Sequence, residues 1–179
     1  MSLKDLTKDS HTAAEKTKFM KAAFQGRMTQ SIWADWTYQK TLFYNAIESS
    51  ASAVNLLLGM NELKRTFLLL EDYKVMAKAE TATYYKKSVI EYYQYIMNLY
   101  PDKSRIMAHL YTWHMGDLHG GQMIKKILPF SHLSLEFTRP EELKIAIREK
   151  LNDTMADEAN TAFKWAIKMM EEYDNQFDI

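Results

Sequence analysis

The chain has 179 residues, in which 23 Lys and Arg balance 23 Asp and Glu for a formal net charge of zero, with no cysteine, five glycines and three prolines. The missing cysteines exclude disulfides, iron–sulfur clusters, thiolate metal sites and a cysteine nucleophile, and the neutral balance argues against a general nucleic-acid binder, which needs a basic surface for phosphate. Glycine and proline together make about 4% of the chain where average usage gives about 12%, so turns are few and one all-α domain over residues 1–179 is expected.

Taken in chain order, the hydrophobic period is helical nearly throughout and predicts six or seven helices. The first runs from about Leu3 to Phe24 and stops at Gly26, a residue suited to the left-handed conformation that ends helices. Thr29 caps a second, aromatic-rich helix through Trp33, Trp36, Phe43 and Ile47. Asn61 caps a third to about Ala79, and a fourth covers about Thr83 to Leu99. Pro101 breaks the chain before a fifth helical pattern, about Asp102 to Leu128, that holds Gly116, Gly120 and Gly121 and is closed by Pro129. Thr138-Arg139-Pro140-Glu141 has the spacing of a capping box and opens a sixth helix, and about Asp153 to Tyr173 is helical again. No apolar run approaches the eighteen or so residues of a membrane span, and residues 1–23 are too charged for a signal peptide, so a soluble, cytoplasmic protein without a membrane anchor is expected.

Three constellations could carry chemistry. Lys4, Lys8, His11 and Glu15 share one helical face, nearly opposite an apolar stripe of Leu6, Ala13, Met20 and Phe24. Spacing alone favours a solvated face for the lysines and Glu15, although His11 beside two ammonium groups suits a metal whose own ligand carries carboxylates. Ala108, Thr112, Gly116 and Gly120 recur every four residues and form a ridge free of bulk, fit either for close helix packing or for a flat ligand, with Asp117 among the glycines. Lys144 and Arg148, one turn apart, could clamp a carboxylate or simply face solvent. His109, His114 and His132 show no metal spacing, and HExxH, P-loop, GxGxxG and Glu-x-x-His motifs do not occur.

The stretch His109-Leu-Tyr-Thr-Trp-His-Met-Gly-Asp-Leu-His-Gly-Gly-Gln122 resembles the distal-helix signature of biliverdin-producing haem oxygenases, and Leu3-Lys-Asp-Leu-Thr-Lys-Asp-Ser-His-Thr-Ala-Ala-Glu15 resembles their proximal-helix segment. Lys144, Arg148 and Thr161-Ala-Phe163 follow in the same order, so the resemblance spans nearly the whole chain, strongest at 3–48 and 105–128. It implies a multi-helix bundle with a glycine-kinked distal helix, in which haem b is both substrate and cofactor and O2 is co-substrate. It further implies that His11 is the proximal iron ligand and that Glu15 lies beside it. By the same resemblance Asp117, Gly116 and Tyr44 serve the distal catalytic network. Gly120, Gly121 and Thr112 then line the haem face, while Lys4, Lys8, Tyr111, Lys144 and Arg148 surround the propionates.

Three positions depart from that pattern: Trp113 stands where the family commonly has arginine, Ala166 where many members have asparagine, and His119 where a small residue is usual. The expected reaction is O2-dependent opening of haem to biliverdin with release of carbon monoxide and ferrous iron. Electrons would come from a soluble ferredoxin or another reductase, because no flavin or nicotinamide motif occurs. The alternatives are a haem-sequestering protein with impaired turnover, a helical interaction protein whose glycine ridge only packs helices, and a di-iron or thiamin-degrading helical enzyme, against which the missing Glu-x-x-His and cysteine argue.

Overall fold

The computed structural model describes residues 1–78 and 84–177, and no strand occurs among them. The N-terminal helix expected from Leu3 to Phe24 is three pieces: α1 (Leu3–Leu6), α2 (Lys8–Glu15) and α3 (Lys18–Phe24). Two threonines explain the breaks. Thr7 Oγ1 donates to the Leu3 carbonyl at 2.9 Å where α1 ends, and Thr17 Oγ1 donates to the Ala14 carbonyl at 2.9 Å while accepting from the Met20 amide at 3.2 Å. Side chains that compete for backbone groups cap helices better than they extend them. Gly26 then takes φ +67°, as expected for the residue that ends α3.

Helix α4 (Gln30–Ala53) begins at Thr29, whose Oγ1 accepts from the Ile32 amide at 3.2 Å. It is buried around nearly its whole circumference, with Trp36, Phe43, Tyr44 and Ile47 all shielded, and this makes it the central element. Around it pack α5 (Thr66–Met76), α6 (Lys87–Met97) and α7 (Lys103–Leu110). Helix α10 (Ala156–Glu171) lies across α2, α3, α6 and α7, and α3 also meets α8 (Gly116–Ile127). Burying each large side chain of this core contributes about 1.5–3 kcal/mol.

Several expected boundaries move. Asn61 opens only a short 3-10 turn, Asn61–Leu63, and α5 starts at Thr66; the expected end at Ala79 and start at Thr83 lie outside the described residues. The capping box does not form: α9 is Pro140–Arg148, its N-cap is Arg139, and the cap has no side-chain hydrogen bond. Arg139 is instead drawn into ion pairs with Glu142 and with Glu62. The fifth pattern is two α-helices, α7 and α8, joined by a π-helical turn at Tyr111–Met115. The departure from α geometry therefore falls just ahead of the glycines, which themselves begin and occupy a regular α8, and such turns gather at functional sites.

A buried polar chain pins α6, α7, α10 and the π turn together. Trp113 Nε1 donates to Tyr92 Oη at 2.9 Å, Tyr92 Oη lies 2.6 Å from His109 Nδ1, and His109 Nε2 lies 2.8 Å from Glu158 Oε1. Burial raises the Glu158 carboxyl, but hydrogen bonds from His109, Tyr95 and Arg105 outweigh it and hold it at about 2. Burial also lowers the His109 pKa, so a neutral imidazole donates to a carboxylate.

A carboxyl held below its ordinary 4.5 contributes stability above that value and loses it as pH falls toward about 2. Glu158→Gln is expected to cost about 2 kcal/mol at neutral pH, and less and less as the pH approaches about 2. Urea melts at both pH values measure this, and a constant difference would show that the carboxylate's charge is not what matters.

Candidate functional site

One cavity of about 1020 Å³ opens between the N-terminal helices, α4, the π turn with α8, and α10. On one wall, α2 presents His11, whose side chain is 58% exposed and therefore free to take a ligand. The His11 ring meets Phe163 of α10 edge-on, with centroids 5.7 Å apart. Glu15 Oε1 lies 3.7 Å from His11 Nε2, beyond hydrogen-bond distance, so Glu15 adds charge beside the imidazole without fixing its orientation. Lys4 and Lys8 reach the same cavity from α1 and α2, and Arg148 from the end of α9.

Another wall is formed by α8. A Cβ added at Gly116 or Gly120 would meet nothing within 4 Å, so these two glycines leave open space on the cavity side, while a Cβ at Gly121 would come 2.8 Å from Leu135 Cδ2. Packing rather than ligand access therefore explains Gly121, although it too lines the cavity. Gly121→Ala is expected to lower stability by about 1 kcal/mol through overpacking, whereas Gly116→Ala and Gly120→Ala should raise it by about 0.5–1 kcal/mol through helix propensity. Urea melts of the three variants test that ranking.

Asp117 follows Gly116 and is 8% exposed. Its Oδ2 accepts from Tyr44 Oη at 2.6 Å, its Oδ1 lies 3.4 Å from Lys40 Nζ, and its backbone carbonyl accepts from Gln122 Nε2 at 3.0 Å. Burial first, and then the neighbouring Asp117, hold the Tyr44 phenol far above its ordinary pKa, so it remains a donor. A carboxyl group held at the cavity wall by a tyrosine and a lysine can order water and pass protons.

The Heme oxygenase family model matches residues 1–142, about four-fifths of the sequence. The chain belongs to the heme oxygenase family. Heme oxygenase 2 of Mus musculus is 26% identical across 96% of this chain, which spans only 64% of the mouse protein's length. Heme oxygenase 1 of Nostoc sp. is 26% identical across 94% of this chain and 82% of its own. Among solved structures, heme oxygenase-1 from Synechocystis sp. PCC6803 in complex with heme shares the fold at a TM-score of 0.87, with 22% identity over 98% of this chain and 91% of that one.

Within this heme oxygenase fold most of the expected site residues meet. His11, Glu15, Lys4, Lys8, Tyr111, Thr112, Gly116, Asp117, Gly120, Gly121 and Arg148 all line the cavity. Tyr44 stands behind Asp117 and reaches the cavity through it. Lys144 does not line it; its Nζ pairs with Glu141 Oε1 at 2.8 Å. Of the departures from the family pattern, Ala166 puts a methyl group on the wall, and Trp113 turns its indole N–H away to Tyr92. His119 also lines the cavity, its pKa lowered by burial and then by Lys144 and Arg148.

Met20 and Phe24, which a single helical wheel sets opposite His11, line the same cavity, because the break at Thr17, between α2 and α3, resets the register. Lys40 is the residue that motif reading passed over. Its only signal was a lysine one turn from Tyr44 inside an aromatic-rich helix. Among the described residues no cluster of three or more His, Asp or Glu could hold a bare metal ion, and no helix is long and apolar enough to cross a membrane.

Proposed function

We propose that this chain is a haem oxygenase that takes haem b as substrate and cofactor and, with O2 and electrons, opens it to biliverdin, carbon monoxide and ferrous iron. The observation that carries the reading is a single cavity uniting an exposed histidine on α2 with the glycine-bearing stretch of α8 that carries Asp117. The residues fit haem. Gly116 and Gly120 leave open the space a flat ring needs, and Trp36, Met115, Phe163 and Met170 supply apolar walls. Lys4, Lys8 and Arg148 are cations suited to the ring's carboxylates.

Haem, when bound, supplies the iron that activates O2 and the porphyrin edge that is cut. In this proposal His11 is the iron ligand. Asp117, held at Oδ2 by Tyr44, keeps water in place and relays protons on the α8 side. The apolar walls exclude bulk water, and the basic rim sets which porphyrin edge faces Asp117. A soluble ferredoxin is the proposed electron donor: residues 1–27 carry six basic and three acidic side chains, a surface suited to an acidic protein.

A haem-sequestering protein is the second reading, favoured by the Trp113 indole N–H, which is taken up by Tyr92 although the side chain lines the cavity, and by the apolar Ala166. Titration with hemin, followed by reduced ferredoxin in air with catalase present, separates the two. Loss of the haem band with a rising far-red biliverdin band supports the oxygenase. A haem band that persists supports sequestration, and no haem band at all overturns both.

A further inference from the structure

We infer that Lys40 is the positioning cation of this site: its ammonium holds the Asp117 side chain toward the cavity and sets the electrostatic sign of that wall. The inference rests on reading the cavity as a haem site. Lys40 lies on α4 one turn after Trp36 and one turn before Tyr44, and its side chain is only 10% exposed. A lysine that buried requires a counter-charge. Lys40 lines the cavity, its Nζ lies 3.4 Å from Asp117 Oδ1, and the same Nζ sits 4.8 Å from the centroid of the Tyr44 ring.

The other charged groups around Asp117 do not replace it. Arg65 is the other buried cation nearby, but its guanidinium is taken up by the backbone carbonyls of Glu62, Leu63, Lys64, Ser134 and Glu136. Glu48, behind Tyr44 on α4, is engaged with His114, Thr66 and the Arg65 amide. His119, on α8 itself, belongs to the rim, where it feels Lys144, Arg148, Glu141 and Lys4. From the packed 3-10 turn Leu133–Leu135, the neutral Leu135 side chain approaches Gly121 and its carbonyl accepts from Gln122 Nε2. Tyr44 donates one neutral hydrogen bond and cannot balance a charge. Among the described residues Lys40 is thus the cation in contact with the Asp117 carboxylate, and without it the wall that faces the ligand becomes anionic or loses its carboxylate's aim.

Azide, an anionic ligand of ferric haem, and carbon monoxide, a neutral ligand of ferrous haem, read that sign. Lys40→Met is expected to weaken azide binding by about 10-fold while changing carbon monoxide affinity by less than about 2-fold, and Lys40→Arg should restore azide binding to within about 3-fold. The haem-free protein gives an independent reading. Lys40→Met and Asp117→Asn should each lower the melting temperature by roughly 5 °C, and the double variant by no more than the worse single one.

Haem bound normally with azide affinity unchanged in Lys40→Met overturns the inference and leaves the site reading standing. Additive losses of melting temperature overturn it equally. Failure of the wild-type protein to bind haem refutes the site reading instead, and the melting cycle still decides whether Lys40 and Asp117 act as a pair.

Discussion

His11→Ala is expected to weaken haem binding by roughly 100-fold, a loss of about 2.7 kcal/mol, and to erase the spectrum of a histidine-bound ferric haem while the fold stands. The fold should survive because the His11 side chain is more than half exposed and its ring makes a T-shaped contact with Phe163 at 5.7 Å. Alanine is also the better helix former, by up to about 0.7 kcal/mol. The variant's melting temperature should therefore match the parent's, so that any spectral change reports the ligand alone. Added imidazole should recover part of the spectrum by filling the space that the side chain leaves. His119 is the other histidine lining the cavity, and His119→Ala serves as the control. Should His11→Ala keep the parent spectrum while His119→Ala loses it, the iron ligand has been assigned to the wrong wall.

The second large effect lies on α8. Asp117→Ala should bind hemin within about 3-fold of the parent and yet make biliverdin roughly 100- to 1000-fold more slowly, the range expected when a positioned proton-transfer group is removed. Both carboxylate oxygens have partners, Tyr44 and Lys40, so the group is held in place rather than free to rotate. Tyr44→Phe removes the 2.6 Å hydrogen bond but leaves the carboxylate, and a smaller loss of about 10-fold follows. Single-turnover spectra with a fixed amount of reduced ferredoxin separate this effect from electron delivery. Biliverdin formed at the parent rate by Asp117→Ala would remove Asp117 from the mechanism.

The sequence was most legible where local chemistry decides the outcome. Thr29 caps the helix expected of it, because a short polar side chain before an apolar period satisfies amides whatever packs around it. Gly26 takes a positive φ for an equally local reason. The reading failed where distant partners compete. The capping box at Thr138 gave way to an arginine that finds Glu62, far away in the chain. The single N-terminal helix gave way to three, and the break between α2 and α3 allowed His11, Met20 and Phe24 to share a cavity that one wheel would deny them.

By itself, the order of residues determined the helical class, the absence of thiolate chemistry and the pair of motifs that place this chain among the heme oxygenases, since these depend on composition and on spacing along single helices. Only the tertiary structure decided which members of those motifs meet. It left Lys144 outside the cavity with Glu141, assigned Gly121 to packing against Leu135, and turned Trp113 toward Tyr92. It also brought Lys40 from a different helix to the Asp117 carboxylate. A charge buried on α4 must find its counter-charge wherever folding brings one within reach, and no periodicity along either helix records that meeting.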